Sequence, residues 1–361
     1  MSEQRSVVAV ERVAGDVRRA LRRALDAVDW SRCLPRGADV ALKVNLGWDL
    51  FIPGSITSPL VVESLIAEIR DHVGRIFVVE SDQVLEDIEK AFHRSGMAEV
   101  CRRTGAQWVN MSRAETVRIE APDNVVLKSI DLPRILREAV LITVPVMKTH
   151  GKTVITGALK NQFGCLSKAR HAYHLVLDDV LADLNRIVRP ALAVMDGTIG
   201  LEGDGPKSGR PRVADLILCS NDPVALDTVQ ALCMGFDPAR IGHLASCGAR
   251  GIGVCDPQRI EIRGCDLESV RVAFQPAREN AVAFVETLLR RSALQRLVFD
   301  TPLFDACLFG AKQYYRIWTA LRARRFWASA RAHPVYGPQW RAVGPGATPR
   351  PSRDPSVQAE R

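Results

Sequence analysis

Short apolar runs rich in β-branched residues alternate with helix-length amphipathic stretches through the first two-thirds of the chain, and this alternation is the strongest constraint on its fold. Strands separated by segments long enough for a helix need crossover connections, which favour parallel pairing. The sequence therefore predicts an α/β fold, with a mostly parallel sheet and flanking helices arranged in one or two lobes. Five runs are typical of buried strands: Val40 to Leu46, Arg75 to Glu80, Ala139 to Val146, Ala191 to Met195 and Val213 to Cys219.

Helices between these strands have recognisable ends. Ser58 followed by Pro59 supplies an N-cap and a first-turn proline for a helix over 60–72. Asp222 and Pro223 do the same for a helix over 224–234, and Val176 to Val188 indicates a third helix. The helices are therefore placed where crossover connections require them.

The character of the chain changes near Arg278. Two further segments, 280–292 and 302–326, have helical patterns, and the second places bulky apolar side chains beside arginines. We predict an α/β domain over 1–277, a helical C-terminal extension over 278–343 and a disordered tail over 344–361. The extension has two interpretations, a helix on an anionic membrane surface or a helix packed on the core, and packing is the commoner role of such helices.

The charge of the chain limits its partners. The formal net charge of +8 suggests nucleic acid, anionic lipid or an anionic ligand, but much of the excess lies at 290–291 and after 313. No nucleic-acid module pattern is present, so no specific nucleic-acid binding is predicted. No apolar run approaches the ~20 residues of a membrane span. We expect a cytoplasmic protein, with a peripheral membrane location or a redox partner reached through the basic C-terminal helix as a further expectation.

The nine cysteines do not form an iron–sulfur motif. No pair of them has the C-x-x-C spacing, so the cysteine run of bacterial ferredoxin modules is absent. An odd number of cysteines in a reducing compartment favours free thiols, most of them buried as small apolar groups. An iron–sulfur cluster is therefore not expected.

Polar or ionisable residues follow every predicted strand, at the edge where parallel sheets bind their ligands. Any one of them is ordinary for a loop, but five together predict a shared site. In chain order they are Lys43 and Asn45, then Glu80, Ser81 and Asp82, the segment 145–151, Asp196, and the segment 220–222.

Cations and histidines dominate the segment after the third strand. Lys148 and Lys160 are suited to hold a carboxylate or a phosphate, His150 can transfer protons, and a desolvated lysine can act as a nucleophile. Asp196, with Glu202 and Asp204, could instead supply oxygen ligands to a hard divalent cation. We favour a site role for Asp196 and a tight turn for Asp204.

Several motifs surround these residues: the segments 145–151, 155–161, 195–197, 202–206 and 221–227, with Gly164 and His174 beyond the second. Together they resemble the motifs of the domain of unknown function 362 (DUF362) family, over roughly residues 40–238. Many members of that family carry a ferredoxin-type iron–sulfur module, whose cysteines this chain lacks.

The stretch from 139 to 174 is also similar to the N-terminal domain of the nickel-pincer lactate racemase family. The resemblance implies that His150 is a general acid/base, that Lys160 holds the pincer cofactor covalently and that His174 ligates nickel. Two departures are evident. Ser81 and Asp82 stand where that family has its second acid/base histidine, and the run Gly157-Ala158-Leu159-Lys160-Asn161 replaces its Gly-Gly-Arg-Lys-Ser.

The leading hypothesis is an enzyme, of the oxidoreductase or racemase-like isomerase class, that acts on a small carboxylate- or phosphate-bearing substrate or cofactor. Lys43, Lys148 and Lys160 would hold the anion, while His150 transfers a proton or guides a hydride with Asp82 as its partner.

Further contacts complete this hypothesis. Asn45, Asn161 and Asp196 would contact the ligand, and His174 would bind a divalent metal or orient Lys160. The alternative is a non-catalytic redox or cofactor-carrying protein that partners a ferredoxin or a membrane enzyme. Either hypothesis requires His150, Lys160, His174 and Asp196 to share one pocket.

Overall fold

The fold is a mixed α/β arrangement with 45% helix and 22% strand. The structure is a computed structural model, and it describes residues 5–47, 49–83, 88–166, 173, 175–278, 281–292, 295–299, 301, 303–341 and 343–344. In this part of the chain no helix is long and apolar enough to cross a membrane.

Ten strands form the central sheet, in the order β12-β1-β11-β10-β7-β2-β3-β4, with β8 pairing β10 and β9 pairing β8. The pairs β12-β1, β10-β7, β10-β8, β7-β2, β2-β3 and β3-β4 are parallel, so the sheet is mostly parallel, as predicted. The strands are β1 (Ser6–Arg12), β2 (Val40–Lys43), β3 (Ile76–Glu80), β4 (Gln107–Asn110), β5 (Thr116–Glu120), β6 (Ser129–Pro133), β7 (Val140–Thr143), β8 (Val146–His150), β9 (Val154–Ile155), β10 (Leu192–Glu202), β11 (Arg210–Ser220) and β12 (Ile260–Gly264).

Helices flank the sheet and then continue into the C-terminal extension. They are α1 (Val17–Ala27), α2 (Trp30–Cys33), α3 (Pro59–Ile69), α4 (Ile88–Arg94), α5 (Met97–Thr104), α6 (Ile135–Glu138), α7 (Gly157–Asn161), α8 (Leu177–Ile187), α9 (Pro223–Met234), α10 (Gly242–Ala249), α11 (Leu267–Val270), α12 (Ala281–Arg291), α13 (Gln295–Phe299), α14 (Leu303–Ala332) and α15 (Gly337–Trp340).

The predicted caps of two helices are confirmed. At α3 the Ser58 hydroxyl accepts from the Val61 amide, and at α9 the Asp222 carboxylate accepts from the amides of Val224 and Ala225. Gly235 ends α9 with a φ of 82°, in the left-handed region that favours glycine. These local signals fix the ends of both helices that lead to the site.

Antiparallel pairing occurs on both sides of β11 in this mostly parallel sheet. The strand β1 inserts between β11 and β12, and β10 and β11 form a long antiparallel pair of 11 residues each. The turn that joins β10 to β11 contains Asp204, as predicted, and the Ser208 amide donates to the Asp204 carbonyl. A separate two-stranded hairpin, β5-β6, lies outside the central sheet.

The end of the C-terminal extension packs into the main core. Trp327, Tyr336 and Trp340 are at most 1% exposed and join the apolar cluster formed by β2, α1 and α3. The Phe51 and Trp327 rings meet edge to face, with centroids 5.6 Å apart. The last helices of the chain therefore complete the core that the first helices begin. The domain boundaries at 277 and 343 stay a prediction.

Candidate functional site

A buried ion pair lies where two neighbouring parallel strands end. Lys43 is the last residue of β2 and Glu80 the last of β3, and the Lys43 Nζ is 2.9 Å from the Glu80 Oε1. Both side chains are buried, and Gly164 covers them so closely that a Cβ there would lie 2.9 Å from the Lys43 Nζ. The pair is thus enclosed by protein on the side of the segment that follows α7.

Asn161 joins the ends of β2 and β7 to this pair. Its side-chain amide donates to the Lys43 carbonyl and to the Thr143 hydroxyl, each at 3.0 Å. Its Oδ1 accepts from the Asn45 side-chain amide at 3.1 Å and from the Lys43 Nζ at 3.4 Å. Asn161 is itself buried, so the network is built inside the molecule and is held by strong hydrogen bonds in a low-dielectric setting.

Lys148 extends the network to the next strand. It lies in β8, is 2% exposed, and its Nζ donates to the Asn45 Oδ1 and to the Ser55 carbonyl, both at 2.8 Å. Burial lowers the pKa of Lys148 to about 7, with Lys43 acting in the same direction and Glu80 opposing it. Lys148 is therefore poised to gain or lose a proton near neutral pH.

The buried carboxylate of Asp196 is the acceptor of a second group of hydrogen bonds near Lys148. Its carboxylate accepts from the Ser58 amide at 2.7 Å and from the Thr198 amide and hydroxyl at 3.0 and 2.6 Å. Burial raises the pKa of Asp196, while these donors and the charge of Lys148 oppose the rise. The Ser58 hydroxyl donates to the Gln339 Oε1 at 2.6 Å, so α15 also borders this group of hydrogen bonds.

Asp227 holds the short helix α7 that carries Lys160. Its carboxylate accepts from the amides of Ala158 and Leu159 at 2.6 and 2.9 Å, and burial raises its pKa to about 7. Gly157 has a φ of 61° and lies directly on this carboxylate, since a Cβ would be 2.3 Å from its Oδ2. Asp227 therefore holds the start of α7.

Lys160 and His150 are partly exposed, unlike the network beneath them. The Lys160 Nζ lies 4.5 Å from the centre of the Phe163 ring. The His150 Nδ1 accepts from the amides of Lys152 and Thr153 at 3.0 and 3.3 Å. Since Nδ1 accepts, the neutral ring carries its proton on Nε2. The Lys152 Nζ contacts Glu286 of α12 at 3.0 Å, so the C-terminal extension reaches this loop.

The structure brings part of the predicted set together. Lys43, Asn45, Lys148 and Asn161 form one hydrogen-bonded network. Asp82 is engaged elsewhere, since its carboxylate accepts from the Ile88 amide at the start of α4 and from the Asn110 side chain.

Two further predictions concern His174 and Glu202. His174 lies outside the described residues, so the expected pocket of His150, Lys160, His174 and Asp196 is not tested and remains a prediction. Glu202 is bound by Arg210 and by the Gln275 amide rather than standing with Asp196 and Asp204.

Among the residues that the structure describes, no three histidine, cysteine, aspartate or glutamate side chains are grouped to hold a metal ion. Asp82, at the place of the racemase family's second histidine, is used as a helix cap. The described residues alone therefore do not form a metal site, and His174, the implied nickel ligand, lies outside them.

Two buried residues were not assigned a role from the sequence, whereas Glu80 belongs to the strand-end set that the sequence predicts. His243 is fully buried, and burial together with the charge of Lys160 lowers its pKa to about 3. Gln162 is also fully buried, and among the residues that the structure describes neither its amide nitrogen nor its oxygen has a hydrogen-bond partner. No local pattern marks the last two.

Comparison with known proteins gives one family and one relative. The family described as "Domain of unknown function (DUF362)" matches residues 40–231, which include the whole network around Lys43 and Lys148. Thylakoid-associated protein sll1697 of Synechocystis sp. (strain ATCC 27184 / PCC 6803 / Kazusa) is 32% identical over 115 residues. That similarity covers 30% of this chain and spans 36% of the length of the relative. No solved structure matches the chain.

Proposed function

The chain belongs to the DUF362 family, and from that premise we propose that it is an enzyme that binds a small carboxylate or phosphate compound at the carboxyl edge of its parallel sheet. The observation that carries the proposal is the position of Lys148. Its ammonium group is buried beside the Lys43–Glu80 pair and has a pKa of about 7. Titratable groups perturbed in this way gather at functional sites.

The unsatisfied amide of Gln162 supports a bound molecule near α7. Buried polar groups almost always have hydrogen-bond partners, and one that has none calls for a ligand or an ordered water. Gln162 follows Lys160 and Asn161 directly in the chain. A carboxylate or phosphate group that reaches this position would accept a hydrogen bond from the Gln162 side-chain amide.

The proposed roles follow from exposure. Lys160, which is partly exposed, holds the anionic group, while Lys43 and Lys148 provide buried positive charge. Asn161 and Asn45 fix the positions of these two lysines, and Asp196 is a further proposed contact of the ligand. His150 exchanges a proton with the ligand through its Nε2. Above pH 7 a neutral Lys148 is able to accept a proton. The reaction class is proton or hydride transfer, with Asp82 and His174 as further proposed participants.

Binding of two simple probes tests this proposal. Isothermal titration of the full chain with inorganic phosphate and with lactate should give a Kd that the Lys160→Ala variant loses for at least one probe. Lys90→Ala, at an exposed lysine of α4, is the matched control and should bind as the natural chain does. Unchanged binding in Lys160→Ala would contradict the assignment. Metal analysis and intact-mass measurement of protein from its native host would report a bound ion or a covalent adduct on Lys160.

A second candidate is a non-catalytic redox or cofactor-carrying protein that partners a ferredoxin or a membrane enzyme. It is favoured by the similarity to a protein named as thylakoid-associated and by the exposed apolar side chains on α14, such as Ile317 and Leu321. This candidate predicts a chromophore that co-purifies with the chain and no turnover of any small acid. An absorption spectrum of the purified protein distinguishes the two candidates.

A further inference from the structure

A cationic groove lies between α14 and the turn that joins β10 to β11. It encloses about 320 Å³. The residues of its lining that matter here are Arg210, Arg278, Trp318, Arg322, Arg325 and Phe326.

The groove carries an excess of positive charge. Glu202 pairs with Arg210, which leaves Asp204 as the acidic group opposite Arg278, Arg322 and Arg325. Within the described part of the chain, Arg278 and Arg322 form no ion pair. The guanidinium of Arg325 lies 4.9 Å from the centre of the Phe326 ring. Guanidinium groups without a carboxylate partner, arranged beside aromatic rings, suit a phosphate that is attached to an apolar body.

An exposed apolar stripe runs along the same helix. Its members recur every three or four residues, so they lie on one face of α14. Ile317 is 61% exposed and Leu321 is 77% exposed. The stripe consists of Leu303, Cys307, Gly310, Tyr314, Ile317 and Leu321.

The buried face of α14 lies on the other side of the helix. Its members also recur every three or four residues, and Trp327 among them is 1% exposed. The helix thus turns one apolar face to the core and a second apolar face outward. The buried members are Tyr315, Thr319, Ala323, Trp327 and Ala330.

The stripe and the groove border one another. Arg325 follows Leu321 by four residues, which places the two side chains one helical turn apart on the same face. Trp318 and Arg322 are the next residues after Ile317 and Leu321, and both line the groove. A flat partner that covers the stripe therefore reaches the groove as well.

The charge of α14 indicates which kind of partner it binds. The helix has six basic residues and a single acidic one, Asp305. A second copy of the chain, packed stripe against stripe, would bring these basic residues together and would be repelled. An anionic surface attracts them instead.

We infer that α14 docks on an anionic phospholipid membrane. Ile317 and Leu321 enter the boundary between head groups and acyl chains, and the groove of Arg278, Arg322 and Arg325 receives a head-group phosphate. This inference concerns a surface apart from the sheet-edge ligand site and does not depend on the proposed reaction.

Co-sedimentation of the full chain with vesicles tests the inference. Vesicles of equal parts phosphatidylglycerol and phosphatidylcholine should bind the chain, pure phosphatidylcholine should bind it far less, and added salt should weaken the binding. An arginine near an anionic surface contributes roughly fivefold in affinity, so Arg322→Gln with Arg325→Gln should weaken binding on the order of 30-fold. Ile317→Ser with Leu321→Ser should also weaken it.

Matched controls use exposed positions far from α14 in the chain. Arg240→Gln removes a charge, and Val125→Ser removes an apolar side chain that is 58% exposed; both should bind vesicles as the natural chain does. Circular dichroism of every variant checks that the fold is retained, which is expected because each change is at an exposed side chain.

Three results would overturn the inference. The first is equal binding to both kinds of vesicle, and the second is binding that the α14 variants do not change. The third is a stable dimer, seen by light scattering, that Ile317→Ser with Leu321→Ser dissociates, since it would make the stripe an interface between copies. Titration with inorganic phosphate distinguishes free phosphate from the phosphate of a lipid head group. Tight binding of free phosphate at the arginines, without vesicle binding, would make the groove a site for free phosphate.

Discussion

The Lys43 ammonium and the Glu80 carboxylate lie 2.9 Å apart, with side chains that are 1% and 2% exposed. Such a pair loses the hydration of two charges and recovers stability only while both partners and their hydrogen bonds are present. Asn161 and the Val44 carbonyl supply further bonds to the lysine. The buried ion pair therefore makes the stability of the protein sensitive to a single substitution at either residue.

Removal of one partner of this pair should cost more than removal of both. We expect Lys43→Met or Glu80→Gln alone to lower the free energy of unfolding by about 3–5 kcal/mol, because each leaves a buried charge unpaired. The double variant should lose clearly less than the sum. Urea unfolding of the natural chain, the two single variants and the double variant measures the coupling energy between Lys43 and Glu80. The exposed pair Arg102–Glu99, treated in the same way, should show a coupling of about 1 kcal/mol or less.

Stability should rise with pH because of Lys148. Its ordinary pKa is 10.5 and burial lowers it to about 7, so between these values the unfolded chain binds more protons than the folded chain. The free energy of unfolding should therefore increase by roughly 1 kcal/mol per pH unit from pH 7 to 9. The Lys148→Met variant should lose this slope and Lys90→Met should keep it. Equal slopes in all three proteins would show that Lys148 stays protonated when buried.

Gly164→Ala should be destabilising by about 1–3 kcal/mol, because the added Cβ would lie 2.9 Å from the Lys43 Nζ and 3.0 Å from the Glu80 Oε1. Gly310→Ala is the matched control, since it lies inside α14 with nothing within 4 Å of the new Cβ. It should stabilise the chain by about 0.5–1 kcal/mol. Thermal unfolding compares the two. A neutral Gly164→Ala would mean that the ion pair moves away at little cost.

Asp227→Ala should loosen α7, because the amides of Ala158 and Leu159 would lose their acceptor inside the molecule. We expect a loss of about 2–4 kcal/mol in the free energy of unfolding. Amide hydrogen exchange should quicken at these two positions. Asp237→Ala removes the exposed cap of a three-residue turn of helix and should cost about 1 kcal/mol or less. Similar losses in the two variants would argue against a special role for Asp227.

Trp327→Ala should destabilise the whole protein rather than the C-terminal extension alone. The side chain is 1% exposed and contacts Phe51 and Trp340, so its removal should cost about 3–5 kcal/mol. Phe309→Ala, at a position 64% exposed on the same helix, should change stability by about 0.5 kcal/mol or less. Loss of C-terminal structure without a shift in the main unfolding transition would contradict the shared core.

Short sequence patterns predicted those features of the fold that depend on neighbouring residues. The strands β2, β3, β7, β10 and β11 were predictable from apolar runs, and the ends of α3 and α9 from their caps, because each signal lies within a few residues. The meeting of Lys43, Asn45, Lys148 and Asn161 was predictable in part, since the ends of parallel strands share one edge.

Partners set by register or by distant packing were not predictable. The pairing of Lys43 with Glu80 depends on the register that places Lys43 opposite Val79. The insertion of β1 beside β11 joins segments about two hundred residues apart, and its register leaves no trace in either segment. For the same reason, nothing in the sequence near Trp327 indicates that it packs on Phe51.

The bond between Ser58 and Gln339 has a consequence for how the molecule matures. The Gln339 Oε1 accepts from the Ser58 hydroxyl and from the Leu60 amide, and the Ser58 amide holds Asp196. A ribosome must therefore translate to residue 339 before the start of α3 gains its last bonds. Chains released before residue 339 would lack these bonds, and the start of α3 would be more accessible to proteases.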